Sequence, residues 1–303
     1  VIRRQVFDIP APRLEVTEHQ VEIKLCSCGH TNKASFPASI SAPVQYGDRV
    51  KALTIYLSNQ QMIPEDRLQQ VFKDLFELPI STATVAQIND TFAQKITPER
   101  LIILEQLKKA PVKHADETGV RIKGKTQWLH VLSHGQATHY RVTEKRGALV
   151  EDMEGILIHD HWKPYFTLQK VKHGLCNAHH LRELKALEQI EKEPWAFKMS
   201  RLLALANGIT SPPVSRIGVL YDRIVTEGLA FHEKQPSLSK RKNKRRPGHN
   251  LLIRLRDFKD CVLRFLTTPN VPFTKSLVSY CTSYDFLCIF MQTFVQRSQK
   301  RLS

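Results

Sequence analysis

The spacing of apolar residues changes at Val112, and that change limits the folds open to this chain. Before it the period is helical. Gly47 to Leu57 reads as a first helix, and Pro64 opens a second with Glu65 and Asp66 at its positive end. Leu68, Val71, Phe72, Leu75 and Phe76 then recur at helical spacing. Ser81 is placed to cap a third helix carrying Val85, Ile88, Asn89 and Phe92, and a fourth runs from Pro98 to Lys109. After it the period is that of strands. Val112–Thr118, Thr126–Ser133 and Thr138–Thr143 read as a meander, broken by Gly119 to Gly124 and by Gly135. A short helix near Ala148–Met153 is expected next. Gly155 to Asp160 is a compact apolar strand ending in an acid, Gly174–Cys176 is another short strand, and His179–Lys192 is a helix. Strands that then alternate with helices predict a mixed α/β layer.

The flanks are simpler. Residues 1–45 contain Pro10, Pro12, Pro37 and Pro43, which discourage long helices, and a loose alternation from Arg13 to Lys24. Residues 194–235 and Asn250–Leu266 read as helical. The 303 residues suggest two or three modules, and an apolar fraction of 42% excludes wholesale disorder. The net charge of +16 asks for a polyanionic partner. No run reaches the roughly eighteen apolar residues of a membrane span, and Val1-Ile2-Arg3-Arg4 leads into no apolar signal core. Six Cys are too few for a disulfide scaffold and read as reduced thiols of a cytoplasmic protein.

Asp116 and Asp160 each end a predicted apolar strand. Neighbouring strands would bring both carboxylates to one sheet edge, where their repulsion calls for a compensating cation. Hard, oxygen-seeking Mg²⁺ suits such a pair, and two such ions stabilise both oxygens of an in-line phosphodiester displacement. An Asp after a strand also serves simply as a cap or turn residue.

The wording around these acids resembles a known family. His114-Ala115-Asp116-Glu117-Thr118-Gly119, followed by Lys125 to Val131, is similar to the first catalytic segment of transposases of the insertion-sequence-sixty-six family. His159-Asp160-His161-Trp162-Lys163-Pro164-Tyr165 resembles the second, and Cys176 to Leu184 resembles the family's strand-to-helix signature, with Cys176, His179, Arg182 and Glu183. Phe7 to Gly29 resembles its zinc-binding region. The resemblance implies a DDE transposase with a ribonuclease-H-like core, a helical N-terminal region and a helical insertion. It implies Asp116 and Asp160 as the first two acids, holding two Mg²⁺ for DNA cleavage and strand transfer. DNA would be the partner, with self-association and accessory proteins of the element beside it, at the bacterial nucleoid.

The expected organisation is a partial zinc-like segment (1–45), a helical region (46–109), the first part of the core (110–193), a helical insertion with a basic loop (194–249) and the end of the core (250–303). The chain departs from the pattern twice. Val271-Pro272-Phe273-Thr274 matches the approach to the third acid, a Glu, but Lys275 to Ser279 replaces the expected text and Ser279 stands in the acid's position. From about 275 the tail reads like an out-of-frame translation, and Asp285 has no matching context. At the other end Cys26 and Cys28, with His30 nearby, supply half of a four-ligand zinc site, so zinc is not expected. The sequence thus reads as a copy truncated at both ends and inactive, or as a non-catalytic DNA-binding remnant.

Three further features carry expectations. Cys176 and His179 are too few to hold zinc and are read as packing and orienting residues, and Glu183 as a supporting residue. His159 and His161 flank Asp160 and would face away from it by strand alternation. Lys240, Arg241, Lys242, Lys244, Arg245 and Arg246 place six basic residues in seven positions, a phosphate-contact loop. The helices joined by Leu78-Pro79-Ile80 fit a helix-turn-helix or, with Lys95 alone at the end of the second, a plain αα-hairpin.

Overall fold

The structure, a computed structural model, describes residues 2–122, 124–135, 137–235 and 245–275. Lys240, Arg241, Lys242, Lys244, Ser279 and Asp285 lie outside the described residues. The chain divides into two compact units, with the boundary between Thr97 and Pro98.

The first unit opens with an exposed antiparallel hairpin, β1 (Ile23–Leu25) against β2 (Thr31–Lys33). The loose alternation before it forms no strand. Residues 13–20 are all exposed, so the alternation buries no face. Three helices follow: α1 (Asp48–Ile55), continued by a π-helical turn at Tyr56–Gln60, α2 (Glu65–Phe76) and α3 (Thr82–Lys95). Their apolar stripes meet in a core of Leu68, Phe72, Leu78, Ile80 and Val85. Burying each such side chain contributes about 2 kcal/mol. Glu77 ends α2 in the left-handed region at φ 51°, and Ser81 Oγ accepts the Thr84 N–H at 3.1 Å to start α3. Buried Asn89 of α3 clamps the π turn, its Oδ1 accepting from Ser58 Oγ at 3.1 Å and Asn59 Nδ2 at 2.8 Å.

The second unit is built on a mixed five-stranded sheet. Helix α4 (Thr97–Lys109) leads into β3 (Val112–Ile122), β4 (Lys125–His134) and β5 (Ala137–Thr143), an antiparallel meander. β6 (Ile156–His159) and β7 (Lys172–Leu175) then add in parallel on the other side of β3, giving the order β5-β4-β3-β6-β7. β3 runs through Gly119, which pairs with Trp128, and the meander turns only at Gly124, φ +76°. Gly155 is required before β6. Its φ is +75°, and a Cβ there would lie 2.7 Å from the Pro111 carbonyl oxygen.

The helix expected at Ala148–Met153 does not form. The Arg141 guanidinium takes the carbonyls of Ala148 and Leu149, and Asp152 stands at φ 55°, so the backbone acceptors a helix would use are already engaged. α5 (Asn177–Gln189), α6 (Pro194–Gly208) and α7 (Val214–Glu233) follow β7, with Pro212 and Pro213 separating the last two. The stretch read as one helix from Asn250 is three, α8 (Pro247–Asp257), α9 (Lys259–Val262) and α10 (Arg264–Thr267). Leu184, Trp195, Met199, Leu203, Tyr221, Leu251 and Leu255 form the helical core, and Tyr221 donates its hydroxyl to the Leu255 carbonyl at 2.8 Å. Ala115, Leu132, Leu157 and Tyr165 pack with Leu107 of α4 on one face of the sheet. Val112, Ile156, Ile158 and Val271 cluster separately.

Candidate active site

The parallel pairing of β3 and β6 runs Val112↔Ile156, Lys113↔Leu157, His114↔Ile158. Continued two steps, that register would set Asp116 opposite Asp160, which follows β6; Asp116 itself does not end its strand as expected but lies within β3, paired with Val131, because the β3–β4 ladder runs on to Ile122. Alternation sorts the neighbours. Val112, His114 and Asp116 share a face with Ile156, Ile158 and Asp160, while Ala115, Leu157 and His159 belong to the opposite one. His159 confirms the sorting, stacking on Tyr165 with ring centroids 4.6 Å apart. Each acid holds a local backbone N–H through Oδ1: Asp116 that of Glu117 at 3.0 Å, Asp160 that of Trp162 at 2.8 Å.

A third charge completes this edge. Lys275 Nζ lies 2.6 Å from Asp116 Oδ1, with the lysine side chain 7% exposed. The contact is a close ion pair. The backbone fixes where Lys275 sits. Its N–H donates to Cys176 Sγ at 3.3 Å, and the Phe273 carbonyl accepts the Asn177 N–H at 3.0 Å. Cys176 is buried, caps α5, and donates its own N–H to the His159 carbonyl at 2.9 Å. The Cys176 signature thus joins β6, α5 and the segment carrying Lys275.

His179 stands one turn into α5. Burial lowers its pKa, the charges of Lys275 and Arg182 lower it further, and Asp116 and Asp160 oppose them. His114, behind Asp116, is held down to about 4 by burial, then by His134 and Lys275. Glu183 pairs with Arg254 of α8, Nη1 to Oε1 at 3.2 Å. Arg182 reaches back to the Ala178 carbonyl at 3.4 Å. Of the basic run, Arg245 is exposed and Arg246 caps α8. Cys26 and Cys28 are exposed at the β1–β2 turn, where the Cys26 N–H meets the His30 carbonyl at 2.8 Å. Hydrogen bonds from Cys28, and then Ser27, lower the Cys26 pKa.

One cluster escaped the sequence reading. Glu117, next to Asp116 but on the opposite face, has a side chain only 1% exposed. It accepts the Tyr165 hydroxyl and two bonds from Arg146, at 3.1 and 2.7 Å. The Arg146 guanidinium lies over both the Trp128 and Trp162 rings, 4.9 and 4.3 Å from their centroids. Burial raises the Glu117 pKa, the hydrogen bonds of Tyr165 and Arg146 lower it, and Asp160 raises it. The adjacent Asp-Glu pair on a strand was the available signal, since consecutive acids must face opposite ways.

A five-stranded mixed sheet, with one carboxylate within β3 and another just past the end of neighbouring parallel β6, defines a mixed α/β protein with two acids on adjacent central strands. The model of the family described as Transposase IS66 family matches residues 43–277, and the chain belongs to that family. Both acids, the Cys176 signature and Lys275 lie within the match. No curated protein matches the chain. Among the described residues no group of three or more His, Cys, Asp or Glu side chains is placed to hold a metal ion, and no helix is long and apolar enough to cross a membrane.

Proposed function

We propose that this chain is a DNA-binding transposase whose ribonuclease-H-like core retains the first two acids of a DDE site, Asp116 and Asp160, and has lost cleavage and strand transfer. The sheet order and the level acids support the descent. The ion pair between Lys275 and Asp116 carries the loss of activity. Mg²⁺ demands near-octahedral oxygen donors at about 2.0–2.1 Å. Two carboxylates, one already paired with an ammonium, do not fit a pair of such ions.

DNA binding rests on charge. The surplus of sixteen positive charges, with six basic residues between Lys240 and Arg246, would release counterions from phosphates. Gel retardation of DNA carrying the element's ends tests this over a salt series. The purified chain is expected to shift the DNA and leave it uncut in Mg²⁺. Changing the six basic residues to Gln is expected to flatten the log–log salt slope by several units, roughly 0.9 for each phosphate no longer neutralised. Cutting that disappears with Asp116→Asn would overturn the inactive reading. An unchanged slope would remove the basic run from the interface.

A further inference from the structure

We propose that Lys275 is a built-in counter-ion of Asp116, whose ammonium occupies the cation position at the acid pair and keeps divalent ions out. The inference rests on reading Asp116 and Asp160 as the surviving acids of a catalytic site, and it assigns that site its own inhibitor.

Three observations converge. First, the ammonium is buried beside the carboxylate, 2.6 Å from Oδ1. A charge removed from water in this way persists only against a compensating charge, and Asp116 supplies it. Second, the side chain is delivered by the backbone and does not find the site by chance. The Lys275 N–H is held by Cys176 Sγ, and two residues earlier the Phe273 carbonyl is held by the Asn177 N–H. Val271 and Phe273 are both buried, anchoring the segment in separate apolar clusters. Third, an ammonium is a compact point charge, as a small cation is, and it stands 2.6 Å from Oδ1. A divalent ion on Oδ1 would have to sit at about 2.0–2.1 Å from that oxygen and would meet Nζ there. The two cations compete for the same carboxylate charge.

Mn²⁺ is the probe, followed by isothermal titration and by electron paramagnetic resonance of the free ion. Four proteins are compared: the natural chain, Lys275→Ala, Lys275→Ala with Asp116→Asn, and Lys275→Arg. Lys275→Ala is expected to bind Mn²⁺ at least about tenfold more tightly than the natural chain, because one repelling charge has left. The gain is expected to vanish when Asp116 is also changed, and Lys275→Arg is expected to behave as the natural chain. A folded Lys275→Ala, judged by circular dichroism, with no gain in affinity would overturn the proposal. Should that variant fail to fold, the natural chain against Asp116→Asn decides. Equal, weak Mn²⁺ binding supports the block, and a loss on changing Asp116 refutes it. Gel retardation by the natural chain does not pass through Asp116, so a failure here leaves the DNA-binding reading standing.

Discussion

Asp116 and Glu117 are neighbours in sequence, yet the two faces of β3 treat them differently. Glu117 is enclosed. Arg146 and Tyr165 satisfy it, and two indoles cover the guanidinium that binds it. Asp116 is 31% exposed at its side chain and meets one ammonium that arrives from far along the chain. The enclosed carboxylate is bound into the fold by partners on several elements. The Asp116 carboxylate is partly open to solvent and has the Lys275 ammonium against it. The two acids thus differ in who supplies the counter-charge, and from where.

Acidification gives the largest expected effect and probes both faces. Burial, followed by the charges of Arg100 and Arg141, lowers the His139 pKa to about 4. Burial, followed by Arg254, lowers that of His180 to about 3. The unfolded state binds these protons near pH 6.5, so stability is fully present above that value and falls as pH drops toward 4. At pH 5 each histidine is expected to cost about 2 kcal/mol. His139 lines a small cavity with Leu149, Met153 and Tyr165, while His180 lies on α5, whose cap residue Cys176 holds the Lys275 N–H. Urea unfolding of His139→Gln and His180→Gln between pH 7 and 5 apportions the loss between the faces. A flat pH profile would break this part of the comparison.

Glu117→Gln is expected to cost about 2 kcal/mol, because the carboxylate that accepts from Tyr165 and from partly exposed Arg146 loses its charge. Lys275→Met is expected to cost only about 1 kcal/mol, since the partner carboxylate is partly open to solvent. Equal losses in denaturant would mean that both acids are structural. Ser81→Ala should cost about 1 kcal/mol through the lost cap of α3. Hydrogen exchange should confine that effect to residues of the first unit, and a loss spread into the sheet would contradict its independence.

Much of this was legible from local sequence. Ser81, Pro64 and the apolar stripes of α2 and α3 mark their helices because capping and periodicity act within a few residues. Asp160 does follow an apolar strand, as read, but β3 runs on past Asp116 to Ile122, because its pairing with β4 continues that far. What could not be read depends on contacts distant in sequence. Arg141 takes the carbonyls that a helix at Ala148 would need. Arg146 and Tyr165 converge on Glu117 only once the sheet has formed. Lys275 looked like a plain break in the motif text, and only the fold brings its ammonium to Asp116.

A crystal structure of the natural chain soaked in Mn²⁺, read by anomalous scattering, tests the central claim most directly. The expected result is Lys275 Nζ still against Asp116 Oδ1 and no anomalous peak between Asp116 and Asp160. A Mn²⁺ peak bridging the two acids, with Lys275 displaced, would contradict it.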